Sequence, residues 1–321
     1  MMLTPATLAA ALPEMLTRAD VPDLGPRHEG KVRDSYVVGN RRVLITTDRV
    51  SAFDRVVGVI PFKGQVLNQL SAWWFNELKD VVASHLISVP DPNVTIAREA
   101  EALPVEVIVR GHITGITSTS LWSLYSQGVD RPYGLDLPRG LRKNDALPAP
   151  AVTPTTKAAA GHHDERLTEA EVVERGLVAP HIWRQVREAA LAAFKRGQQR
   201  AASAGLMLVD TKYEFGLIDG EIALIDEVHT PDCSRYWSRY GFEASRETGA
   251  EPDSFDKEHL RLWFVRQGYK GDGKPPALPP DFAGDLASRY VSVYERITGL
   301  PFQPAASPAG PRICKALETF Q

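Results

Sequence analysis

Apolar residues recur in short alternating runs between about residues 30 and 110, and at helical spacing over much of the rest of the chain. "SYVVGNRRVLITT" reads as two β-branched runs around Gly39-Asn40, the signature of a hairpin. "VVGVIPF" is a further short run before Lys63-Gly64, and "PVEVIVRGHITG" alternates through Val105, Val107 and Val109 and predicts a strand. Between them, "LNQLSAWWFNELKDVV" places Leu67, Leu70, Trp74 and Leu78 at helical intervals, so these side chains are expected in a core. "ITSTSLWSLYSQG" predicts the start of another helix. "LTEAEVVERGL" opens on a capping box, Thr168 with Glu171, and "APHIWRQVREAALAAFKRGQQRAASAG" closes at Gly205. "SFDKEHLRLWFVRQG" predicts a helix capped by Ser254, and "DLASRYVSVYERITG" a last one stopped by Gly299 and Pro301. Residues 130–167 are rich in Pro, Gly and polar side chains and predict a long loop; the tail after 300 predicts a surface arm.

Composition narrows the class. The chain has 321 residues, 43% of them apolar and 24% charged, enough for two lobes with a substantial core. A net charge of −3 argues against bulk nucleic-acid binding. No run approaches the roughly 20 apolar residues that span a bilayer. The N-terminal stretch predicts a short helix capped by Thr4 with Pro5 at its first position; Pro13 and Glu14 interrupt it and no basic segment precedes it, unlike a secretory signal. Two cysteines, Cys233 and Cys314, build neither a disulfide framework nor a four-thiolate metal site. A reducing, cytoplasmic setting is expected.

The segment "LVDTKYEFGLIDGEIALIDEVHTPD" reads as two strands around a turn. Val209, Thr211, Tyr213, Phe215 and Leu217 share one face of the first strand. Asp210, Lys212, Glu214, Gly216 and Ile218 share the other. A three-residue loop, Asp219-Gly220-Glu221, would pair Ile218 with Ile222 and set Glu214 directly opposite Asp226. At about 5 Å and an effective dielectric near 20, two such charges repel by roughly 3 kcal/mol, and in open water by under about 1 kcal/mol. A divalent cation would reverse the sign, and oxygen-only ligands point to Mg²⁺. Charges crowd the open end of this hairpin while Ile218, Ile222 and Leu224 fill its turn end, which favours a local site over a solvated stripe.

Other signals are weaker one by one. "HEGKVRDSYVV" places Gly30 and Lys31 before a strand, where a phosphate could meet backbone N–H groups. "TTDRVSAFDRV" carries Asp48, Arg49, Ser51 and Asp54, read as a strand-to-loop transition with an internal Asp–Arg pair. Arg110 ends a strand before Gly111, suited to bidentate phosphate or carboxylate binding. In "GHHDE" the adjacent His162 and His163 point apart, so Asp164 is the better candidate. "TPDCSRYW" offers Asp232, Ser234 and Arg235, with Cys233 as a small unreactive residue. An anion loop, a carboxylate pair and two arginines together suggest nucleotide-dependent phosphoryl chemistry.

"GKVRDSY", "TDRVSAFD", "KGQVLNQLSAWWF", "EVIVRGHITG", "PTTKAAAGHHDE", "LVDTKYEFG", "DEVHTPDCSRYW" and "SFDKEHLRLW" occur in the order that resembles the SAICAR synthetase family, from about residue 29 to 298. The resemblance implies a two-lobed α+β/α/β fold. A β-rich antiparallel N-terminal lobe (1–110), similar to the small lobe of protein kinases, would cover the nucleotide. A larger α/β lobe (111–321) would carry the metal and substrate sites, with ATP in the cleft. It implies ATP-dependent condensation of carboxyaminoimidazole ribonucleotide with L-aspartate, through an acyl phosphate, with ATP and Mg²⁺ required and small-molecule substrates, not nucleic acid or membrane, as partners; the oligomeric state stays open. By motif, Gly30, Lys31, Val32 and Arg33 look like the phosphate-covering loop, and the Glu106-Val107-Ile108 backbone like the adenine strand. Glu214 and Asp226 look like metal ligands, and Lys212 like a bridge between nucleotide and substrate. Arg110 and Arg235 look like holders of the ribonucleotide phosphate, and Asp210, Asp232 and Asp164 like substrate-pocket acids. The run "GITSTSLW" is longer than the family's G-S-x-W, so the phosphate-binding hydroxyl is Ser118 or Ser120. A small-molecule kinase or a non-catalytic nucleotide module using the same site are the alternatives.

Overall fold

The β-branched runs of the first hundred residues form the sheet that their alternation predicts. The computed structural model describes residues 4–117, 119–157, 164–318 and 320. Helix α1 (Pro5–Ala11) begins at Thr4, whose hydroxyl accepts from the Thr7 N–H at 3.1 Å. Strands β1 (His28–Glu29), β2 (Arg33–Val38) and β3 (Arg41–Thr46) follow, with the β2–β3 turn at Gly39-Asn40 as expected. β4 (Arg49–Ala52) and β5 (Arg55–Val59) make a separate ribbon. Helix α2 (Lys63–Glu77) buries Leu67, Leu70 and Trp74 completely. β6 (Leu86–Asp91) and β7 (Val94–Arg98) complete a five-stranded antiparallel sheet, ordered β1-β2-β3-β7-β6.

The second sheet starts with β8 (Glu101–His112). After α3 (Leu121–Ser126) come β9 (Ala146–Val152) and β10 (Thr155–Thr156), both paired with β8. These two strands lie inside the stretch expected to be one loop. "ALPAPAV" hid its strand behind two prolines, which a sheet tolerates at an edge, where their missing N–H groups cost little. Helix α4 (Glu169–Glu174) carries the expected capping box in full. Helix α5 (Pro180–Ser203) lies against β11 (Leu206–Ile218). β11 is central: β8 pairs along one side, and β12 (Glu221–Ile225) and β13 (Ser234–Ser238) pair along it too.

The β11–β12 turn corrects the register expected from the sequence. Ile218 pairs with Glu221 and Glu214 with Ile225, so the loop holds two residues, not three. Asp219 and Gly220 both have positive φ (54° and 83°), the geometry of a primed hairpin turn whose twist matches that of the strands. That backbone match outweighs the awkward Ile218–Glu221 pair, because Glu221 is exposed.

Helices α6 (Arg239–Thr248), α7 (Lys257–Arg266), α8 (Pro280–Thr298) and α9 (Ala309–Leu317) complete the chain. The cap of α7 is Asp256, which accepts from the Glu258 N–H at 2.7 Å; Ser254, the expected cap, instead donates to Asp256 at 2.9 Å. The carboxylate is the stronger acceptor and sits one residue before the helix. The tail is also different from the expected arm. It returns to the first sheet as α9, where Ile313 and Leu317 pack with Tyr36, Val43 and Ile96. Arg312 pairs with Asp91 and donates to Asn93 at 2.8 Å. An apolar pair at i and i+4 in a nine-residue helix is too brief a signal to read from sequence.

The result is a two-lobed α/β fold: the first sheet closes its own small core with residues 16–24 and α9, while the second sheet and α2, α5, α7 and α8 enclose the large one. Ile313→Ala should therefore destabilise the protein by about 2–5 kcal/mol, the cost of an unfilled core site. Urea unfolding measures it, and an unchanged midpoint would mean that α9 does not belong to the core.

Candidate active site

Residues directly opposed in antiparallel strands share a face. β11 places Asp210 opposite Arg110 of β8 and opposite Arg235 of β13. One carboxylate thus lies between two guanidinium groups at one level of the sheet. Arg235 Nη1 bonds Asp210 directly, and Arg110 Nη1 lies 3.7 Å from it. Arg235 Nη2 reaches Glu258 at 3.3 Å and Arg110 Nε donates to Thr153 at 2.9 Å. Burial disfavours the Arg235 charge, but Asp210 and Glu258 more than offset it and raise its pKa. A bulge between Leu208 and Asp210 lets this level form by shifting β13 by one residue.

Four positions along β11, the like-charge opposition argued from sequence does occur, but with a different partner. Glu214 faces Glu106, not Asp226. Lys212 bridges the two, at 2.6 Å from Glu106 and 2.9 Å from Glu214. Lys157 adds a second contact to Glu214 at 2.5 Å. Burial alone would raise the Glu214 pKa; Lys212 and Lys157 outweigh it and hold the group down at about 2. Asp226 lies just past β12 with φ at 64°, which takes it out of strand alternation. Burial pushes its pKa up to about 6, with the charges of Glu214 and Glu227 adding and Arg33 opposing. Arg33, from β2 of the first sheet, meets Asp226 at 2.7 Å and Glu227 at 3.1 Å and so ties the two lobes together.

A cavity of about 160 Å³ opens over the Asp210 level. Ile108, Arg110, Ser120, Asp210, Lys212, Asp232 and Arg235 line it, as do Lys257 and Arg261 of α7. At its inner end Asp232 lies between Lys63 (3.0 Å) and Lys257 (3.1 Å) and accepts from the Tyr290 hydroxyl at 2.9 Å. Burial would raise the Asp232 pKa, and the two ammonium groups instead drive it far below the ordinary range. His229 holds the loop between Asp226 and Asp232. Its ring meets the Tyr213 hydroxyl at 2.5 Å and packs edge-on to Trp74, and its carbonyl accepts from the Tyr236 hydroxyl at 2.7 Å. A Cβ on Gly197 would lie 2.6 Å from this ring, so α5 has a glycine where the ring approaches.

The structure therefore brings Arg110, Asp210, Lys212, Ser120, Asp232 and Arg235 together. Glu214 and Asp226 lie within electrostatic reach of each other. Ser120 also caps α3, and Gly115 packs so closely that a Cβ there would be 2.5 Å from it. Ser118, His162 and His163 lie outside the described residues. Asp164 is half-buried and its charge acts on Glu106. Gly30 donates to the Arg33 carbonyl at 2.7 Å, Lys31 pairs with Asp54 at 2.7 Å, and the Val32 carbonyl accepts from Thr47 at 3.0 Å. The backbone of Glu106, Val107 and Ile108 runs between β11 and the β9–β10 segment, with Ile108 accepting from Thr153 at 2.8 Å. Asp48 does not pair with Arg49. It accepts from the Leu16 and Gly64 N–H groups, both at 2.8 Å, while Arg49 holds the buried Asp34 at 2.8 Å. Cys233 is inert as expected, its thiol pushed up to about 12 by burial. Sequence reasoning gave no role to Lys63, Lys157, Lys257 or Arg261, although all four stand inside quoted motifs. A lysine at a helix start carries no local mark of the carboxylate it will meet.

A cationic cavity in the second lobe, with buried acids beside it, marks an enzyme that works on small molecules. Residues 26–276 match the family model described as SAICAR synthetase, and the chain belongs to that family. It is a ligase of ATP-dependent type, as that family is. A phosphoribosylaminoimidazole-succinocarboxamide synthase of Legionella pneumophila (strain Lens) is 46% identical over 313 residues, covering 97% of this chain and 99% of that protein. The similarity thus extends beyond residues 29–298, the limits that the motifs alone suggested. SAICAR synthase from Saccharomyces cerevisiae, solved with SAICAR, superposes with a TM-score of 0.77 at 32% identity, over 90% of this chain and all of that one. A SAICAR synthetase solved in complex with ADP gives 0.66 at 25% identity, over 87% and 100%.

Burial holds the His229 ring at a pKa of about 3. Below about pH 6.5 the unfolded chain then binds a proton that the folded chain refuses, so this residue removes stability as pH falls, by about 1.4 kcal/mol per pH unit. His229→Phe should lose less stability than the parent between pH 7 and pH 5 in urea unfolding. Parallel losses would show that the ring is not held neutral.

Proposed function

We propose that the chain joins the carboxylate of carboxyaminoimidazole ribonucleotide to the amine of L-aspartate, with ATP cleaved to ADP and phosphate. The observation that carries this reading is the cross-strand level Arg110–Asp210–Arg235 at the mouth of the cavity in a chain of this family. Arg110, Arg235 and Arg261 share two carboxylates, Asp210 and Glu258, so the site keeps a positive excess that suits a phosphate dianion. Ser120, buried beside Arg235, is the hydroxyl that fits there. Asp210 keeps the two arginines splayed at a fixed separation, and Asp232 and Asp164 complete the substrate pocket.

The nucleotide enters between the lobes. The antiparallel first sheet supports the likeness to a kinase small lobe, with Gly30, Lys31, Val32 and Arg33 over the phosphates and the Glu106–Ile108 segment near the base. Arg33 of the first sheet meets Asp226 and Glu227 across the junction, while β8, which runs across position 110, belongs to the second sheet. Carboxylate oxygens at Glu214 and Asp226 fit Mg²⁺, which takes one or two carboxylates and fills its remaining positions from water and phosphate. Burial raises the Asp226 pKa and the charge of Glu214 adds to it, a cost that a cation at the pair would relieve. Such an ion lowers the charge cost of bringing phosphate to carboxylate.

In the first step a carboxylate oxygen of the ribonucleotide attacks the γ-phosphorus and ADP leaves. In the second, the aspartate amine attacks the acyl carbon, the C–O bond to phosphate breaks, and the amine gives up a proton. Lys212, held charged by Glu106 and Glu214, stays next to the reacting carboxylate and steadies negative charge in both steps. The two free cysteines, one with an unreactive thiol, support a reducing compartment such as the cytoplasm. Among the described residues no helix is long and apolar enough to cross a membrane.

ADP release in the presence of the ribonucleotide should track aspartate consumption one for one. A stable phosphorylated product formed without aspartate would favour the kinase alternative. Glu214→Gln and Asp226→Asn should each raise the Mg²⁺ concentration for half-maximal turnover by at least the roughly 10–100-fold that outer ligands command. An unchanged Mg²⁺ dependence would remove both from the metal site.

A further inference from the structure

The inner end of the cavity holds more positive charge than its own carboxylate answers. Lys63 is wholly buried and Lys257 nearly so, at 0% and 12% side-chain exposure. Both approach the same oxygen, Asp232 Oδ2, whose partner oxygen takes the Tyr290 hydroxyl. At 3.0 and 3.1 Å neither ammonium makes an aligned hydrogen bond to Oδ2, which is buried without one. Two ammonium groups on one carboxylate leave an excess of one charge. The neighbouring charges are engaged elsewhere: Arg261 with Glu258 at 3.0 Å, and Glu227 with Arg33 at 3.1 Å.

The two lysines differ in what they face. Lys63 sits behind Asp232, at the start of α2 and away from the cavity lining. Lys257 lines the cavity, and its one aligned hydrogen bond goes to the Ser51 hydroxyl at 3.2 Å. An ammonium has three protons to give. The Ser51 hydroxyl takes one of them, and Asp232 Oδ2 at 3.1 Å takes a second at most, which leaves one for an anion in the cavity that Lys257 lines. A buried cation with a spare donor is costly alone and favourable once an anion arrives. Burial, with Lys63 adding, lowers the Lys257 pKa, which is the direction expected of a charge awaiting its partner.

We infer that Lys257 receives a substrate carboxylate at the inner end of the cavity, while Lys63 carries the charge of Asp232 from behind and frees Lys257 to do so. The inference rests on the proposed reaction, which brings two sources of that chemistry: the imidazole carboxylate of the ribonucleotide and the carboxylates of aspartate. Lys63 is in this account a positioning residue.

The test measures two quantities on purified Lys257→Met, Lys257→Arg and Lys63→Met proteins. One is the KM for L-aspartate in the coupled ADP assay. The other is the Kd of carboxyaminoimidazole ribonucleotide by calorimetry without ATP, which needs no turnover. Lys257→Met should raise one of the two by about tenfold or more, the loss of a charge-assisted hydrogen bond, with the KM for ATP within about twofold. A raised KM for aspartate assigns the aspartate carboxylate; a raised Kd assigns the imidazole carboxylate. Lys257→Arg should restore most of the affinity. Lys63→Met should lower the melting temperature more than it moves either affinity. Both affinities unchanged in Lys257→Met would overturn the inference and leave the lysine as a structural counter-ion. Should that variant not fold, Lys257→Gln, which keeps a polar donor without the charge, is read in the same way. Wild-type protein that binds the ribonucleotide but releases no aspartate-dependent ADP would instead overturn the proposed reaction, with the calorimetric comparison still standing.

Discussion

Charge buried in the middle of a sheet is the constraint on which this structure turns. β11 carries Asp210, Lys212 and Glu214 on one face, where the two acids are buried and the lysine is half-buried. Removing one partner from a buried pair costs roughly 3–5 kcal/mol, against a total stability of about 5–15 kcal/mol for a typical domain. The face can exist only if every level is answered across the strands. It is: arginines flank Asp210 from β8 and β13, and Lys212 lies between Glu106 and Glu214. The same completeness makes the levels useful, because each retains polarity aimed at an incoming anion or cation.

The surrounding parts hold these strands in register. The bulge before Asp210 brings Arg235 level with it. Asp256 fixes the next residue of β13 by accepting from the Tyr236 N–H at 2.7 Å while capping α7, so the helix that presents Lys257 and Arg261 is tied to the strand that presents Arg235. Left-handed backbone at Asp226 and His229 turns the loop so that its acids aim at separate places, one toward Arg33 and one toward the two buried lysines. Such conformations cost about 1–3 kcal/mol each and persist where the surroundings demand them. Here Tyr213, Trp74 and Tyr236 grip His229 from three sides.

Much of this was readable in advance where one strand or helix carries its own signal. The β2–β3 hairpin, the capping box of α4, the core stripe of α2 and the end of α5 near Gly205 follow from local pattern. Glu214 was found through the argument that opposed acids need a cation between them. That argument named the wrong opposite strand: Glu106 is the true neighbour, since the β11–β12 turn has two residues and the β8 register cannot be counted from β11 alone. The strands β9 and β10 and helix α9 were misread for the same reason. Each depends on a partner far along the chain.

By itself the sequence determined which residue types could carry the chemistry, and in which order they come. Alternation along β11 separated a core face from a charged one, and motif order placed the chain in its family. Only the tertiary structure decided which charges meet. Pairing between strands distant in sequence set Arg110 and Arg235 on either side of Asp210, and folding α2 and α7 against one loop gave Asp232 two lysines from residues 63 and 257. Local pattern reports the face on which a side chain lies; the energy of a buried charge depends on what stands opposite, and that is fixed by contacts that no local window contains.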